Sequence, residues 1–351
     1  MKAAVPRSLT AAAAGSSGQV RPVRLVAVLL LLVIGLPGAT SGPGTGFPAV
    51  FSAPDWSSTA PPVENVYYFG PVADRAEILS PAQLGRAAAR HRQLPVAERT
   101  QLDALLFTVP IRAQGYVLKA FAAGHSLEEL AEFARVISGR DRQWLRTRLN
   151  LIDPAVPGPV DYRGYRMRQY DDTSCGSTAI VIARAMADPI YALMLTTGGH
   201  PGTADEAGDR FLARLKAEEK RLHGATNLLW PALVGTPPWG LRDQMNQAAM
   251  GLGGQYRWAV TEEWVIGSVD AVVRQALAAV DQGYPVPVLI GDTIPRHYVL
   301  LVHRDRAGAL FFEPSSGEVR RVSDAALRRL DFSVVGYPHL QGVIVPGPLD
   351  G

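Results

Sequence analysis

Between residues 80 and 149, apolar residues recur at three- and four-residue intervals, interrupted by short polar breaks. The breaks carry helix signals. Ser80-Pro81 pairs an N-cap with proline at the first helical position. Ser126-Leu-Glu-Glu129 is a capping box, and Gly139 stops the run that it opens, Leu127–Ile137. Four short helices are expected at about 81–93, 96–107, 111–123 and 126–138, with a fifth near 140–149. Asp153-Pro-Ala-Val-Pro-Gly-Pro159 then breaks the pattern and marks a domain boundary.

Past that boundary the pattern changes twice. A short extended stretch at 160–169 leads to an apolar helix at 176–187 and a charged amphipathic helix at about 204–222. Further helices are expected at 240–250 and 269–282, and Arg328-Arg329 sits on another. Val286–Ile290, Tyr298–Val302, Ala309–Glu313 and Glu318–Val322 are short strand-like runs parted by turn residues, as in an antiparallel sheet. Helices first and strands later is the α+β arrangement. No internal repeat occurs.

The N-terminus changes the charge picture. The whole chain counts 35 basic and 32 acidic residues, a net of +3. Residues 1–24 carry Lys2, Arg7, Arg21 and Arg24 and no acid, and Leu25–Leu36 is charge-free and apolar. Pro37-Gly-Ala-Thr-Ser41 follows, so 1–41 reads as a secretory signal peptide, with a retained signal-anchor as the alternative. A twelve-residue helix is about 18 Å long, short of a ~30 Å hydrocarbon layer. Without that segment 31 basic residues face 32 acidic ones, a net of −1. The expectation is therefore a secreted or cell-envelope protein, with no charge argument for nucleic acid or for a membrane after signal removal. Residues 42–79, rich in Pro, Gly and Ser up to 65, read as a linker.

At 47% hydrophobic and 19% charged residues the remainder can bury a core. Its single cysteine excludes an intramolecular disulfide and any multi-cysteine metal site. That cysteine stands in Gln169-Tyr-Asp-Asp-Thr-Ser-Cys175-Gly-Ser-Thr, at the entry of the apolar helix. Free N–H groups and partial positive charge at a helix start favour thiolate over thiol. Gln169, six residues earlier, could aim its side-chain amide beside the sulfur and donate to an oxyanion together with the Cys175 N–H. A thiolate nucleophile needs a base, and the base an orienting group. Among seven histidines, His297 begins the strand run His297-Tyr-Val-Leu-Leu-Val302. Glu313 ends the next strand, and an antiparallel pair would bring it to the imidazole. Asp305 and Asp292 are the other acids that could orient His297. Asp171-Asp172 read as cap and turn residues, His303 as a turn residue, and Trp239 and Trp258 as packing or cleft residues.

Gln-x5-Cys-Gly at a helix start, His-Tyr-Val at a strand start and a carboxylate-Pro-x-x-Gly turn resemble the papain-like cysteine peptidases. The nearest branch is cysteine-peptidase family thirty-nine with the bacteriocin leader peptidase-like domains. Ala278–Ile290 is similar to the segment preceding the histidine there, and the likeness covers about 160–346. It implies a papain-like fold, an N-terminal catalytic helix packed on a C-terminal antiparallel sheet. It also implies Cys175 as nucleophile, His297 as base and acid, Gln169 as oxyanion donor and Glu313 as third member. Three departures stand out. Glu313 is one methylene longer than the usual Asp or Asn, Ser174 replaces a common Asp, and 199–265 reads as an insertion.

The expected activity is an exported thiol hydrolase acting on peptide or protein amide bonds, with no metal or organic cofactor. Two alternatives use the same residues or none. One is acyl transfer of the transglutaminase type, or amide cleavage in cell-wall peptides. The other is a secreted binding module without catalysis. The helical region 80–152 is either a pro-segment blocking the cleft or a permanent helical domain.

Overall fold

The computed structural model describes residues 78–228, 235–260 and 268–347. The signal segment 1–41 and nearly all of the linker 42–79 lie outside the described residues. The N-terminal five helices form as their punctuation dictates. They are α1 (Pro81–Gln93), α2 (Val96–Thr108), α3 (Ile111–Ala123), α4 (Leu127–Ile137) and α5 (Arg142–Leu149). Ser80 Oγ accepts from the Gln83 N–H while the Gln83 side chain accepts from the Ser80 N–H, and Ser126 and Glu129 repeat this reciprocal box. Gly124 ends α3 at φ 109°, a conformation suited to glycine. The inward faces make a separate core around Leu102, Val117, Phe121, Leu130 and Ile137.

The remainder is α+β. A seven-stranded sheet runs in the order β1-β8-β7-β6-β5-β9-β4, every neighbouring pair antiparallel. Its strands are β1 (Gly158–Pro159), β4 (Tyr256–Val260), β5 (Val286–Gly291), β6 (Pro295–Asp305), β7 (Gly308–Glu313), β8 (Glu318–Ser323) and β9 (His339–Pro346). A separate ribbon pairs β2 (Asp161–Tyr162) with β3 (Tyr165–Arg166). Every residue of β5 and β7 is buried, which explains their unbroken apolar runs. Packed around the sheet are α6 (Cys175–Ala187), α7 (Pro189–Thr197), α8 (Gly208–Thr226), α9 (Pro238–Met245), α10 (Ser268–Asp281) and α11 (Asp324–Arg328). The apolar helix α6 lies against β6, with α8 and α9 against α6.

Several elements differ from the sequence reading. Helix α7 was not expected, although Asp188 caps it, Pro189 opens it and Gly198 closes it at φ 63°. The helix expected at 204–222 is a single 3₁₀ turn at Ala204–Glu206 followed by α8, four residues further on. Within the segment read as an insertion, 199–265, α8 packs on α6, and β4 forms the sheet edge against β9. Tyr256 of β4 is buried and donates its hydroxyl to the Pro285 carbonyl, 3.1 Å away. Strand β9 also went unrecognised, and it sits between β5 and β4. Trp258 packs directly on Gly342 of β9, so its ring fills the sheet edge.

The helical layer is attached at several places. Gln83 donates to the Met186 carbonyl at 3.2 Å, His125 meets Asp188 at 3.0 Å, and Arg86 donates to the Gly251 carbonyl at 3.0 Å. Leu193 of α7 completes the core of this layer. Met186 and Asp188 lie at the C-terminal end of α6, about 18 Å along the helix from Cys175, and the layer is also joined through Arg148 to Glu206 at 3.0 Å and through the Ala82 N–H to the Gln282 carbonyl at 3.0 Å. Among the described residues no single helix is long and apolar enough to cross a membrane.

Candidate active site

Cys175 is the first residue of α6 and is 5% exposed. The first bond within the helix runs from the Thr178 N–H to the Ser174 carbonyl at 2.9 Å, so the Cys175 and Ser177 N–H groups precede the helical ladder. The Tyr298 N–H donates to the sulfur at 3.4 Å, and the Gly176 N–H also reaches it. Gly176 leaves room for the loop after α8: a Cβ there would lie 2.6 Å from Thr236 Cβ.

The two strands bring in the other groups. His297 on β6 hydrogen-bonds Cys175, and its Nε2–H donates to Glu313 Oε1 at 2.8 Å. With Nε2 committed to the acid, Nδ1 is the nitrogen left for the sulfur. Glu313 ends β7, and the turn after it closes on the carboxylate. The Ser315 N–H donates to Oε1 at 2.7 Å and the Ser316 N–H to Oε2 at 2.9 Å. The extra methylene of Glu is accommodated by this turn, which returns the carboxylate to the imidazole. Tyr337 lies beside the ring, centroids 6.3 Å apart.

The electrostatics favour a charged pair. Burial pushes the Cys175 thiol up, but His297 and the Tyr298 and Gly176 N–H groups bring it below its ordinary value. Burial opposes the imidazolium too, yet the bonds to Cys175 and Glu313 raise His297 to about 9. Burial likewise opposes the Glu313 carboxylate, and His297, Ser315 and Ser316 together hold it at about 2. The directions of these shifts favour a thiolate–imidazolium pair beside an ionised Glu313.

Gln169 is placed on the far side of the same turn. Its N–H donates to the Pro314 carbonyl at 2.9 Å and its Oε1 accepts from Ser315 Oγ at 3.3 Å. One hydrogen of its amide goes to the Asp171 carbonyl at 2.8 Å, leaving the second for another acceptor. Asp171 accepts from the Thr173 N–H and hydroxyl, both 2.9 Å, as a turn residue does. Asp292 is engaged by Arg296 and Asp305 by Arg321, so neither serves His297. His303 lies within β6, at a bulge after Leu301, rather than in a turn.

Sequence reasoning missed a second polar cluster against α6. Thr178 Oγ1 lies 2.6 Å from Glu219 Oε1, and Glu219 is 1% exposed. The signal was present: Phe211, Leu215, Glu219 and Leu222 share the buried stripe of α8, with an acid in an apolar series. Among the described residues no group of three His, Cys, Asp or Glu could hold a metal ion. Neither protein-family profiles nor curated proteins nor solved structures match the chain.

Proposed function

We propose that this protein is an exported, papain-like thiol hydrolase that cleaves peptide or amide bonds. The observation that carries the reading is one imidazole joined on one side to Cys175 and on the other to Glu313. The thiolate adds to the amide carbonyl carbon, and the carbonyl electron pair moves to oxygen. The Cys175 N–H and the free hydrogen of the Gln169 amide are the donors assigned to that oxyanion. Collapse of the adduct breaks the C–N bond, and His297 Nδ1 gives its proton to the departing amine. The same nitrogen then takes a proton from water, which attacks the thioester and restores the thiolate. Glu313 keeps the ring oriented and stays ionised throughout.

Acyl transfer to an amine is the second reading, favoured by one feature. Cys175, His297 and Glu313 are 5%, 7% and 4% exposed, so bulk water has little access to the thioester. Product analysis with peptide amides, with and without added primary amine, separates the two. None of the hydrogen bonds named above that attach the helical layer involves Cys175, His297 or Glu313, which supports a permanent helical domain over a segment blocking the cleft.

The test of the site needs no substrate. Near pH 6, iodoacetamide should label Cys175 at least about tenfold faster than a free thiol of pKa about 8.5. The advantage should vanish in His297→Ala. Labelling at the free-thiol rate, or full hydrolase activity in Cys175→Ala, would overturn the proposal.

A further inference from the structure

Thr178 has one hydroxyl hydrogen and two oxygen neighbours. Its Oγ1 is 3.0 Å from the Ser174 carbonyl and 2.6 Å from Glu219 Oε1. A carbonyl can only accept, so with the threonine hydrogen on Ser174 the second contact requires its proton from Glu219. The other arrangement has Thr178 donating to a Glu219 carboxylate. It would leave an ionised acid 1% exposed, with Oε2 lacking any hydrogen-bond partner.

No cation among the described residues offsets such a charge. On α8 itself, Glu218 takes Arg184 and Arg221, and Lys220 lies 5.7 Å from the Tyr170 ring centre. His223, one turn along, has an unpartnered buried Nδ1. From the preceding loop come Tyr170 and the anionic Asp171, which adds repulsion. From α7, Tyr191 donates to Glu218, and on α9 Arg242 pairs with Asp243. An isolated buried carboxylate in these surroundings is far costlier than the neutral acid.

We propose that Glu219 is a positioning residue: as a neutral acid it donates its proton to Thr178, braces the first turn of α6, and on ionising switches the nucleophile off. The inference rests on the reading of Cys175 as that nucleophile. Thr178 is three residues after Cys175 on the same helix and also meets the Ser174 carbonyl just before the nucleophile, so a charge on Glu219 bears on the turn that presents the thiolate. The response is a proton transfer. Cys175 sulfur recovers the proton from His297 Nδ1, and the ion pair becomes a neutral thiol and imidazole. Burial, strengthened by Asp171, holds Glu219 protonated up to about 8, so the change falls above neutrality and below the loss of the imidazolium proton at about 9.

Iodoacetamide labelling of the full chain against pH reads this out. The wild-type rate should hold steady up to about pH 8 and then fall by about tenfold before bulk deprotonation of the thiol. Glu219→Ala should slow labelling at all pH values. Glu219→Gln, a neutral donor of similar shape, should restore it and carry the plateau through pH 8. Infrared difference spectra between wild type and Glu219→Gln at pH 7 should contain a protonated carboxyl stretch. An unchanged step in Glu219→Gln overturns the proposal, and so does the absence of the protonated carboxyl band. Free-thiol labelling of the wild type near pH 6 overturns instead the reading of Cys175, and the infrared measurement separates that outcome from a failure at Glu219.

Discussion

Glu313, at the end of β7, and Glu219, on α8, are almost equally hidden, at 4% and 1% exposure. Burial pushes both toward the neutral form, yet one is held at about 2 and the other at about 8. The difference is in the partners. Glu313 receives the His297 proton donor and two backbone N–H groups from its own turn. Glu219 has a hydroxyl, an unpartnered oxygen and a neighbouring acid. Depth alone therefore does not set the charge of a buried carboxyl. The number and sign of the groups pointing at it decide, because only donors and cations replace what water gave the anion.

The largest effect separating the two acids should come from Glu313→Ala. It leaves His297 buried without an acceptor, and hydrolysis should fall by about 10³-fold or more at neutral pH. Denaturant unfolding should show a loss of about 3 kcal/mol. The pH dependence has a definite sign. Glu313 is lowered from 4.5 to about 2, so its contribution is present above 4.5 and disappears as pH falls toward 2. His297 is raised from 6.5 to about 9, so its contribution is present below 6.5 and disappears as pH rises through 9. The destabilisation by Glu313→Ala should therefore be greatest between those windows. An equal loss at pH 2 and pH 6 would break the assignment.

Glu219→Gln should act in the opposite direction and by less. Glu219 is raised from 4.5 to about 8, so the stability it confers as a neutral acid is complete below 4.5 and is lost as pH climbs to 8. The glutamine variant does not titrate, and should become more stable than wild type by about 2 kcal/mol near pH 7. The gap should widen from pH 4.5 upward, as followed by thermal unfolding. A constant gap would mean that Glu219 is already ionised in the folded protein. The smallest effect is expected for an acid in open water. Glu132 pairs with Arg135 on the exposed face of α4, and Glu132→Ala should leave the Tm unchanged within error, since solvent screens such pairs.

The helical layer and the sheet differ in how far the chain announces them. Three of the five N-terminal helices carry side-chain caps, at Ser80, Ser126 and Asp141, and the other two follow Pro95 and Pro110, signals that lie within three residues of the helices they start. Strands β5, β6 and β7 were visible as apolar runs and β8 as a short run carrying Val319 and Val322, although β6 extends to Asp305, well past its apolar stretch. Strand β4 was hidden inside an apparent insertion, despite the alternation of Tyr256, Trp258 and Val260. Its role as an edge exists only through pairing with β9, about 85 residues later. Cys175 and Glu313 were legible because each begins or ends an element, and His297 because it stands two residues into β6, at the start of its apolar stretch. Glu219 was not singled out, because an acid on an apolar stripe becomes informative only once its partner is known.

What the sequence by itself determined is the local structure: the capped helices, the strand runs, and the positions of the thiol, imidazole and carboxylate at or near element ends. These depend on near neighbours, and near neighbours are written next to one another. Tertiary structure alone decided the charge states. His297 meets an acid 16 residues away, and Glu219 meets a hydroxyl 41 residues away. A proton's free energy depends on the groups within a few ångströms, and folding, not chain order, selects those groups.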